Sequence, residues 1–141
     1  MHRGLKVVLF TTAAFVALAG SSVAFSNAQT EAKDWVIPKE ASQERNPVAA
    51  TPESLKAGRA IFESRCQACH GKDGRGRPVD NDPNTMSGNL TDPIRASFNP
   101  DGVMFYKVWN GREKPRMPAF KTGLTRDEVW TVITYAKSLR K

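Results

Sequence analysis

Two segments of the chain repeat apolar residues at the spacing of an α-helix. The first runs into Cys66, and Leu55, Gly58, Ile61 and Phe62 lie on one of its faces. Thr51 can cap this helix, Pro52 suits its first position, and Glu53 complements the positive end of its dipole. Because glycine destabilises a helix interior, Gly58 indicates a place where another helix approaches closely.

The second segment is the last helix of the sequence. Thr125 and Glu128 have the spacing of a capping box, in which each side chain satisfies a donor at the helix start. An apolar stripe follows at Val129, Val132, Ile133, Ala136 and Leu139. Arg140 and Lys141 complement the negative end of the helix.

The region between these helices is less regular. Pro100-Asp101-Gly102 opens a shorter helical run from Val103 to Asn110, with Val103, Tyr106 and Val108 expected to face inward. Residues 71–99 contain so many glycines and prolines that we expect a loop. No stretch alternates apolar and polar residues as a half-buried strand does, so we predict an all-α fold of about three helices and long loops.

The N-terminus has the three parts of a secretory signal peptide. His2, Arg3 and Lys6 form a basic start, and Val7–Ala19 is mostly apolar. Small residues then allow cleavage after Ala28, with Ala24 as the alternative site. An uncleaved membrane anchor is the competing interpretation, but the apolar stretch is barely long enough and contains polar residues. We therefore predict export to the periplasm, with membrane association only if this segment is retained.

Three regions follow from this pattern. Residues 1–28 are the predicted signal peptide, residues 29–50 an extended N-terminal arm, and residues 51–141 a single domain. The arm is polar and contains Pro38 and Pro47. Its one apolar cluster, Trp35–Ile37, can dock on the domain or on a partner, although a loosely packed surface tryptophan is the simpler expectation.

The charge of the chain is positive. The whole sequence carries +7, and loss of Arg3 and Lys6 with the signal peptide lowers this to +5, since residues 1–28 contain no acidic residue. A basic surface suits nucleic acid, anionic lipid or an acidic protein, or it serves solubility alone. Export and the lack of a nucleic-acid motif argue against nucleic acid.

Cys66-Gln67-Ala68-Cys69-His70 is the motif that carries chemistry. Two cysteines separated by two residues and followed by histidine are typical of covalent haem attachment. Each thiol can add to one haem vinyl group, and the adjacent imidazole of His70 then lies beneath the iron. A redox dithiol, a disulfide and half a zinc site are the alternatives. A structural zinc site needs four ligands, whereas the only other histidine is His2 and there is no further cysteine.

The second axial ligand of the iron is harder to assign. After processing, His70 is the only histidine, so the sixth position falls to methionine, lysine, water or nothing. Met117 is the favoured ligand because the prolines at 115 and 118 stiffen its loop. Met104 lies in a helical pattern where methionine usually fills a core, and Met86 lies in a polar loop.

The domain resembles a class I c-type cytochrome. The matching residues are Gly58 to Phe62, Cys66 to Gly74, Asn110-Gly111-Arg112, Met117 to Phe120, and Trp130 to Leu139. They span about residues 52–141. The resemblance implies that the first and last helices cross, with Gly58 and Phe62 against the region of Ile133, Tyr135 and Ala136. It also implies that a backbone carbonyl near Pro78 accepts the Nδ1 hydrogen of His70.

These features predict a periplasmic one-electron carrier, not an enzyme. Its single haem c, held by Cys66 and Cys69 and ligated by His70 and Met117, would cycle between Fe(III) and Fe(II). Its partners would be redox proteins, some with acidic surfaces. Two alternatives stay open: a five-coordinate haem protein that binds a small gas or peroxide, and a dedicated electron-entry subunit of a periplasmic dehydrogenase or reductase.

Overall fold

The computed structural model describes residues 35–79, 82–86, 88–113 and 116–140. The predicted signal peptide lies outside these ranges, and so do both of its candidate cleavage sites. Lys114 and Pro115, which precede the predicted methionine ligand, lie outside them as well. Within the described residues, no helix is both long enough and apolar enough to cross a membrane.

The described part of the chain contains six helices, which confirms the predicted helical fold. They are α1 (Lys39–Gln43), α2 (Pro52–Arg65), α3 (Gln67–His70), α4 (Pro93–Ser97), α5 (Asp101–Asn110) and α6 (Arg126–Ser138). The three longest, α2, α5 and α6, are the three that the apolar pattern predicts. A small antiparallel hairpin of β1 (Pro78–Val79) and β2 (Asp82–Met86) is added to them.

Helices α2 and α6 cross, and their contact is the centre of the core. Phe62 of α2 and Val129 and Ile133 of α6 are almost completely buried. The Phe62 ring lies 5.4 Å from that of Tyr135, tilted by 59°. Gly58 lies at the crossing, where the backbone carbonyl of Thr131 approaches its Cα. The predicted packing of the first helix on the last is therefore present.

Both long helices begin with a capping box. At α2, the Ser54 N–H donates to Thr51 Oγ1 at 3.2 Å, and the Thr51 N–H donates to Ser54 Oγ at 3.0 Å. At α6, the Glu128 N–H donates to Thr125 Oγ1 at 3.2 Å, and Glu128 Oε2 accepts from the Thr125 N–H at 2.8 Å. The caps expected at Thr51 and Thr125 are thus confirmed, and Ser54 adds the second half of the first one.

Helix α5 is buried around more of its circumference than its sequence predicts. Val103 is buried as expected, while Tyr106 and Val108 are only partly buried. Met104 and Phe105 are buried instead. The reason is that α5 is covered from two sides, by α1 and by α6. The Phe105 ring lies 4.3 Å from the Trp130 ring of α6.

The N-terminal segment differs from the extended arm that its composition predicts. Residues 39–43 form α1, which packs on α5 where Gly102 lets the Ala41 carbonyl approach the helix backbone. The Asn46 side chain donates to Trp130 O at 3.1 Å and to Thr134 Oγ1 at 2.9 Å. These polar contacts hold the segment against the domain without a continuous apolar face, which is why periodicity did not reveal them.

Residues 71–99 are also more structured than expected. Besides the hairpin, in which Pro78 faces Met86 and Val79 faces Asp82, they contain α4. Pro93 occupies the start of α4, and the Asp92 carboxylate accepts from the Arg95 N–H at 2.8 Å. A single turn of helix is too short to produce a periodic pattern, so only its cap and proline mark it in the sequence.

Candidate haem site

A cleft of about 420 Å³ opens between α2, α5, α6 and the loop that follows α5. Its volume is within the ordinary range for a small-molecule site. Its deep wall is apolar and consists of Phe62, Met104, Val108, Val132, Ile133 and Ala136. The same core residues that join the helices therefore also line the cavity.

The predicted attachment residues lie together on this wall. Cys66 ends α2, with its N–H donating to Phe62 O at 2.9 Å, and α3 follows directly. Within this turn the His70 N–H donates to Cys66 O at 2.9 Å. Cys66, Cys69 and His70 all line the cleft.

The state of the cysteines bears on the alternative of a redox dithiol. Cys66 is partly buried, whereas Cys69 is exposed. Burial, and then the neighbouring Cys69, raises the pKa of the Cys66 thiol to about 11. Reactive dithiols need at least one thiol of lowered pKa. Cys66 is therefore poorly suited to be the attacking thiol of a disulfide exchange.

His70 is held in the tautomer that a metal ligand requires. Its Nδ1 lies 3.0 Å from the Gly88 carbonyl oxygen. Because a carbonyl can only accept, Nδ1 carries the hydrogen and Nε2 keeps its lone pair. Burial lowers the pKa of His70, although the bond to Gly88 acts in the opposite direction. The imidazole is therefore neutral at neutral pH, as metal binding requires.

The carbonyl that faces His70 belongs to Gly88. The expectation that a carbonyl near Pro78 accepts the Nδ1 hydrogen is therefore wrong. The chain turns tightly after the histidine, at Gly71 and Gly74 with positive φ, and the Gly76 N–H returns to His70 O at 2.8 Å. It then leaves through the β1–β2 hairpin, which carries Pro78 away to an exposed position. The Leu90 N–H donates to Gly74 O at 2.7 Å, and this bond brings the returning chain beneath the imidazole.

Met117 lines the same cleft as His70, although 47 positions separate them in the sequence. Its loop is closed by a pair of backbone bonds: Arg112 N–H to Met117 O at 2.8 Å, and Met117 N–H to Arg112 O at 2.9 Å. Gly111 begins the loop at φ 61°, a conformation that favours glycine. The Phe120 N–H also donates to Val108 O at 3.1 Å, which ties the loop to α5.

Met104 occupies a different environment. Met104 is buried in the core and also borders the cleft, and its sulfur accepts a bond of 3.3 Å from the Arg140 guanidinium. The side chain of Met86 lies outside the described residues. Among the described side chains, Met117 is thus the methionine that a loop, and not a packed helix, presents to the cleft.

Cations surround the cleft. Six basic residues line it, namely Arg65, Arg95, Lys107, Arg112, Arg116 and Arg140, and no acidic side chain of the described ranges does. These six residues, called the basic rim below, come from segments far apart in the chain, so no local pattern in the sequence marks them as a group. Lys72, Arg75 and Lys121 are exposed outside the lining, and Lys114 lies beyond the described residues.

Comparisons with known proteins identify the family of this chain. A family model described as "Cytochrome C oxidase, cbb3-type, subunit III" matches residues 53–135. Cytochrome c6 of Chlorolobion braunii is 32% identical over 81 residues, which are 57% of this chain and 85% of that protein. The chain belongs to the class I c-type cytochromes.

Two further similarities extend this assignment. The solved structure of the c-type cytochrome KustC0563 has a TM-score of 0.51 and 25% identity, over 60% of this chain and 98% of that one. Quinohemoprotein alcohol dehydrogenase ADH IIB of Pseudomonas putida is 32% identical over 94 residues, 65% of this chain. Those residues span only 12% of the dehydrogenase. The similarity is thus to one part of a much larger protein.

A c-type cytochrome carries covalently bound haem c, and the cleft fits this cofactor. Its deep wall is apolar, as a porphyrin requires, and two thiols and a neutral imidazole lie on one side of it. The surrounding cations match the negative charge of the haem propionates. Residues 53–135 therefore form a cytochrome c domain, which belongs to the class of haem-based electron-transfer domains.

Proposed function

We propose that this cytochrome is a periplasmic one-electron carrier with a six-coordinate haem. In this proposal Cys66 and Cys69 hold the haem through thioether bonds, and His70 and Met117 are the axial ligands of the iron. The observation that supports it is the convergence of these four side chains on one cleft from two distant segments of the chain.

Both ligand segments are fixed by hydrogen bonds within the protein. His70 is oriented by Gly88, and the loop of Met117 is closed by its bonds to Arg112. Such preorganised ligands keep the same geometry in both oxidation states, so little rearrangement accompanies electron transfer. The haem itself supplies the iron that cycles between Fe(III) and Fe(II). With both axial positions occupied by protein, no position is left for a substrate.

The basic rim supports redox proteins with acidic surfaces as partners. Arg95, Arg112 and Arg116 line the cleft, and Arg95 and Arg116 are exposed to solvent. Complementary charge accelerates encounter without requiring tight binding, which suits a carrier that must dissociate after each transfer. The basic and apolar N-terminal segment supports export to the periplasm.

A second candidate is a dedicated electron-entry unit of a dehydrogenase. The observation that favours it is the 32% identity to part of a quinohemoprotein alcohol dehydrogenase. The haem chemistry would be unchanged, and the difference would lie in permanent association with one enzyme. Co-purification of a dehydrogenase in constant ratio from native membranes or periplasm would favour this candidate. A protein that elutes alone at the mass of one chain would favour the mobile carrier.

The ligand assignment is tested by the visible spectrum of the oxidised holoprotein. Methionine–iron ligation gives a weak sulfur-to-iron charge-transfer band in the far red. We expect the wild type to be low-spin and to show this band. Met117→Leu should abolish the band and lower the reduction potential while haem stays covalently attached.

Met104→Leu is the matched control, because it makes the same replacement at the neighbouring methionine of the cleft. It should keep the band. Retention of the band in Met117→Leu would transfer the ligand role to Met86 or Met104. A high-spin wild type without the band would overturn the proposal in favour of the five-coordinate alternative.

A further inference from the structure

Trp35 lines the haem cleft although it lies well before the first long helix of the cytochrome domain. Its side chain is partly buried, whereas that of its neighbour Val36 is 80% exposed. The two adjacent apolar residues therefore differ in burial. The tryptophan is directed to the cleft and the valine to solvent.

Two cations hold the indole at this position. Lys107 Nζ lies 5.5 Å from the centroid of the Trp35 ring, and the Arg112 guanidinium lies 5.0 Å from it. Both distances are within the range of cation–π attraction. Lys107 projects from α5 and also donates to Asn99 Oδ1 at 2.6 Å, and Arg112 pairs with the backbone of Met117. The indole thus lies over two cations at the C-terminal end of α5.

The segment behind Trp35 is fixed to the domain at several points. Asn46 binds α6 through Trp130 O and Thr134 Oγ1, and its own N–H donates to Asp101 Oδ2 at 3.2 Å. Glu44 and Arg126 form an ion pair at 3.2 Å. These bonds leave only a short tether of chain between α1 and the cleft. The position of Trp35 therefore depends on the attachment of residues 38–46.

We propose that the N-terminal segment completes the haem pocket, with Trp35 as a positioning residue that covers the part of the cleft beside Lys107 and Arg112. The inference rests on the proposed placement of the haem in this cleft. By excluding water, the indole disfavours the more highly charged ferric state and so raises the reduction potential. The N-terminal segment is then part of the redox centre and not a linker.

The test is a redox titration of full-length holoprotein variants, followed by visible absorbance and by circular dichroism of the Soret band. Trp35→Ala should lower the midpoint potential and change the Soret dichroism, because the haem loses its aromatic neighbour. Trp35→Phe should recover most of both properties. Val36→Ala is the matched control from the exposed neighbouring position, and it should change neither.

Asn46→Ala tests whether the bonds of Asn46 to α6 affect the reduction potential through the position of the Trp35 indole. It should shift the potential in the same direction as Trp35→Ala, and the double variant should shift it no further than Trp35→Ala alone. A Trp35→Ala potential equal to that of Val36→Ala, or higher than that of the wild type, would overturn the inference. The far-red band distinguishes failure of the proposed function from failure of this inference. Absence of the band from the wild type contradicts the proposed iron ligation. Presence of the band together with an unchanged reduction potential in Trp35→Ala contradicts only the role of Trp35.

Discussion

Gly58 and Tyr135 are in contact at the point where α2 crosses α6. A Cβ atom added to Gly58 would lie 2.8 Å from the Cβ of Tyr135 and still closer to the Thr131 carbonyl. Phe62, one turn along α2, packs its ring on that of Tyr135. The crossing that closes the back of the haem cleft thus depends on the absence of a side chain at one position.

Gly58→Ala should destabilise the protein, although helix propensity predicts the opposite sign. Propensity alone would stabilise α2 by about 1 kcal/mol. The new methyl group would press on backbone, which cannot turn aside as a flexible side chain can, and overpacking of this kind costs about 1–3 kcal/mol or more. Thermal unfolding of the holoprotein measures the net effect. Gly123→Ala is the control, since no atom lies within 4 Å of a Cβ there; a Gly58→Ala variant more stable than the wild type would contradict the close crossing.

Replacement of both cysteines tests how much of the core the haem supplies. A small domain buries little apolar surface of its own. We expect Cys66→Ala with Cys69→Ala to lose most of the free energy of unfolding, which is about 5–15 kcal/mol in ordinary domains. Circular dichroism on heating should show no cooperative transition. Cys69→Ala alone keeps one attachment residue and should stay folded with haem bound; cooperative melting of the haem-free double variant would refute the expectation.

The lowered pKa of Asp101 predicts that the folded protein loses stability in acid. Burial by itself would raise the pKa of this carboxyl, but hydrogen bonds from Lys137 Nζ and the Asn46 N–H outweigh burial and hold the pKa below its ordinary value of 3.8. A lowered pKa means that the stabilisation is complete above the ordinary value and is lost as the pH falls through the pKa of the folded protein. Urea unfolding at a series of pH values should therefore show a smaller acid loss in Asp101→Asn than in the wild type.

Lys137→Met provides the matched control for this prediction, because it removes the same bond from the other side. The two substitutions should be non-additive near neutral pH, as expected for direct partners. Parallel pH profiles of Asp101→Asn and the wild type, or fully additive effects of the two variants, would show that the pair does not contribute as inferred.

The basic rim predicts that electron exchange depends on the charge of the reagent. Oxidation of the reduced protein by the anion ferricyanide should slow as salt is added, and reduction of the ferric protein by the cation hexaammineruthenium should accelerate. Arg116→Glu should weaken both salt effects, because Arg116 is an exposed residue of the cleft lining. Stopped-flow rates over a series of ionic strengths measure this.

Lys56→Glu is the control for net charge. It changes the total charge by the same amount from an exposed position of α2 outside the cleft lining. Its salt dependence should stay close to that of the wild type. Equal effects of Lys56→Glu and Arg116→Glu would mean that overall charge governs the encounter and that the rim has no special part in it.

Much of the fold is readable from local patterns. The apolar stripes and caps predicted α2 and α6 because a long helix must repeat its buried face and satisfy its first donors whatever surrounds it. Two of the elements that the sequence did not predict, α1 and α4, span one turn or slightly more, and so short a helix cannot show a period. Their stability comes from contacts with distant residues, such as that of Ala41 with Gly102.

The sequence by itself determined the cofactor, since Cys66, Cys69 and His70 are neighbours in the chain and their spacing expresses the chemistry directly. It also indicated Met117, since the prolines at 115 and 118 stiffen the loop that carries it. Only the tertiary structure decided that the carbonyl facing His70 is that of Gly88 and that Trp35 stands at the cleft. Both depend on the path of the backbone through a neighbouring segment. This segment is the β1–β2 hairpin for Gly88 and the anchored N-terminal segment for Trp35. Such paths are set by contacts between remote residues, and no local pattern encodes them.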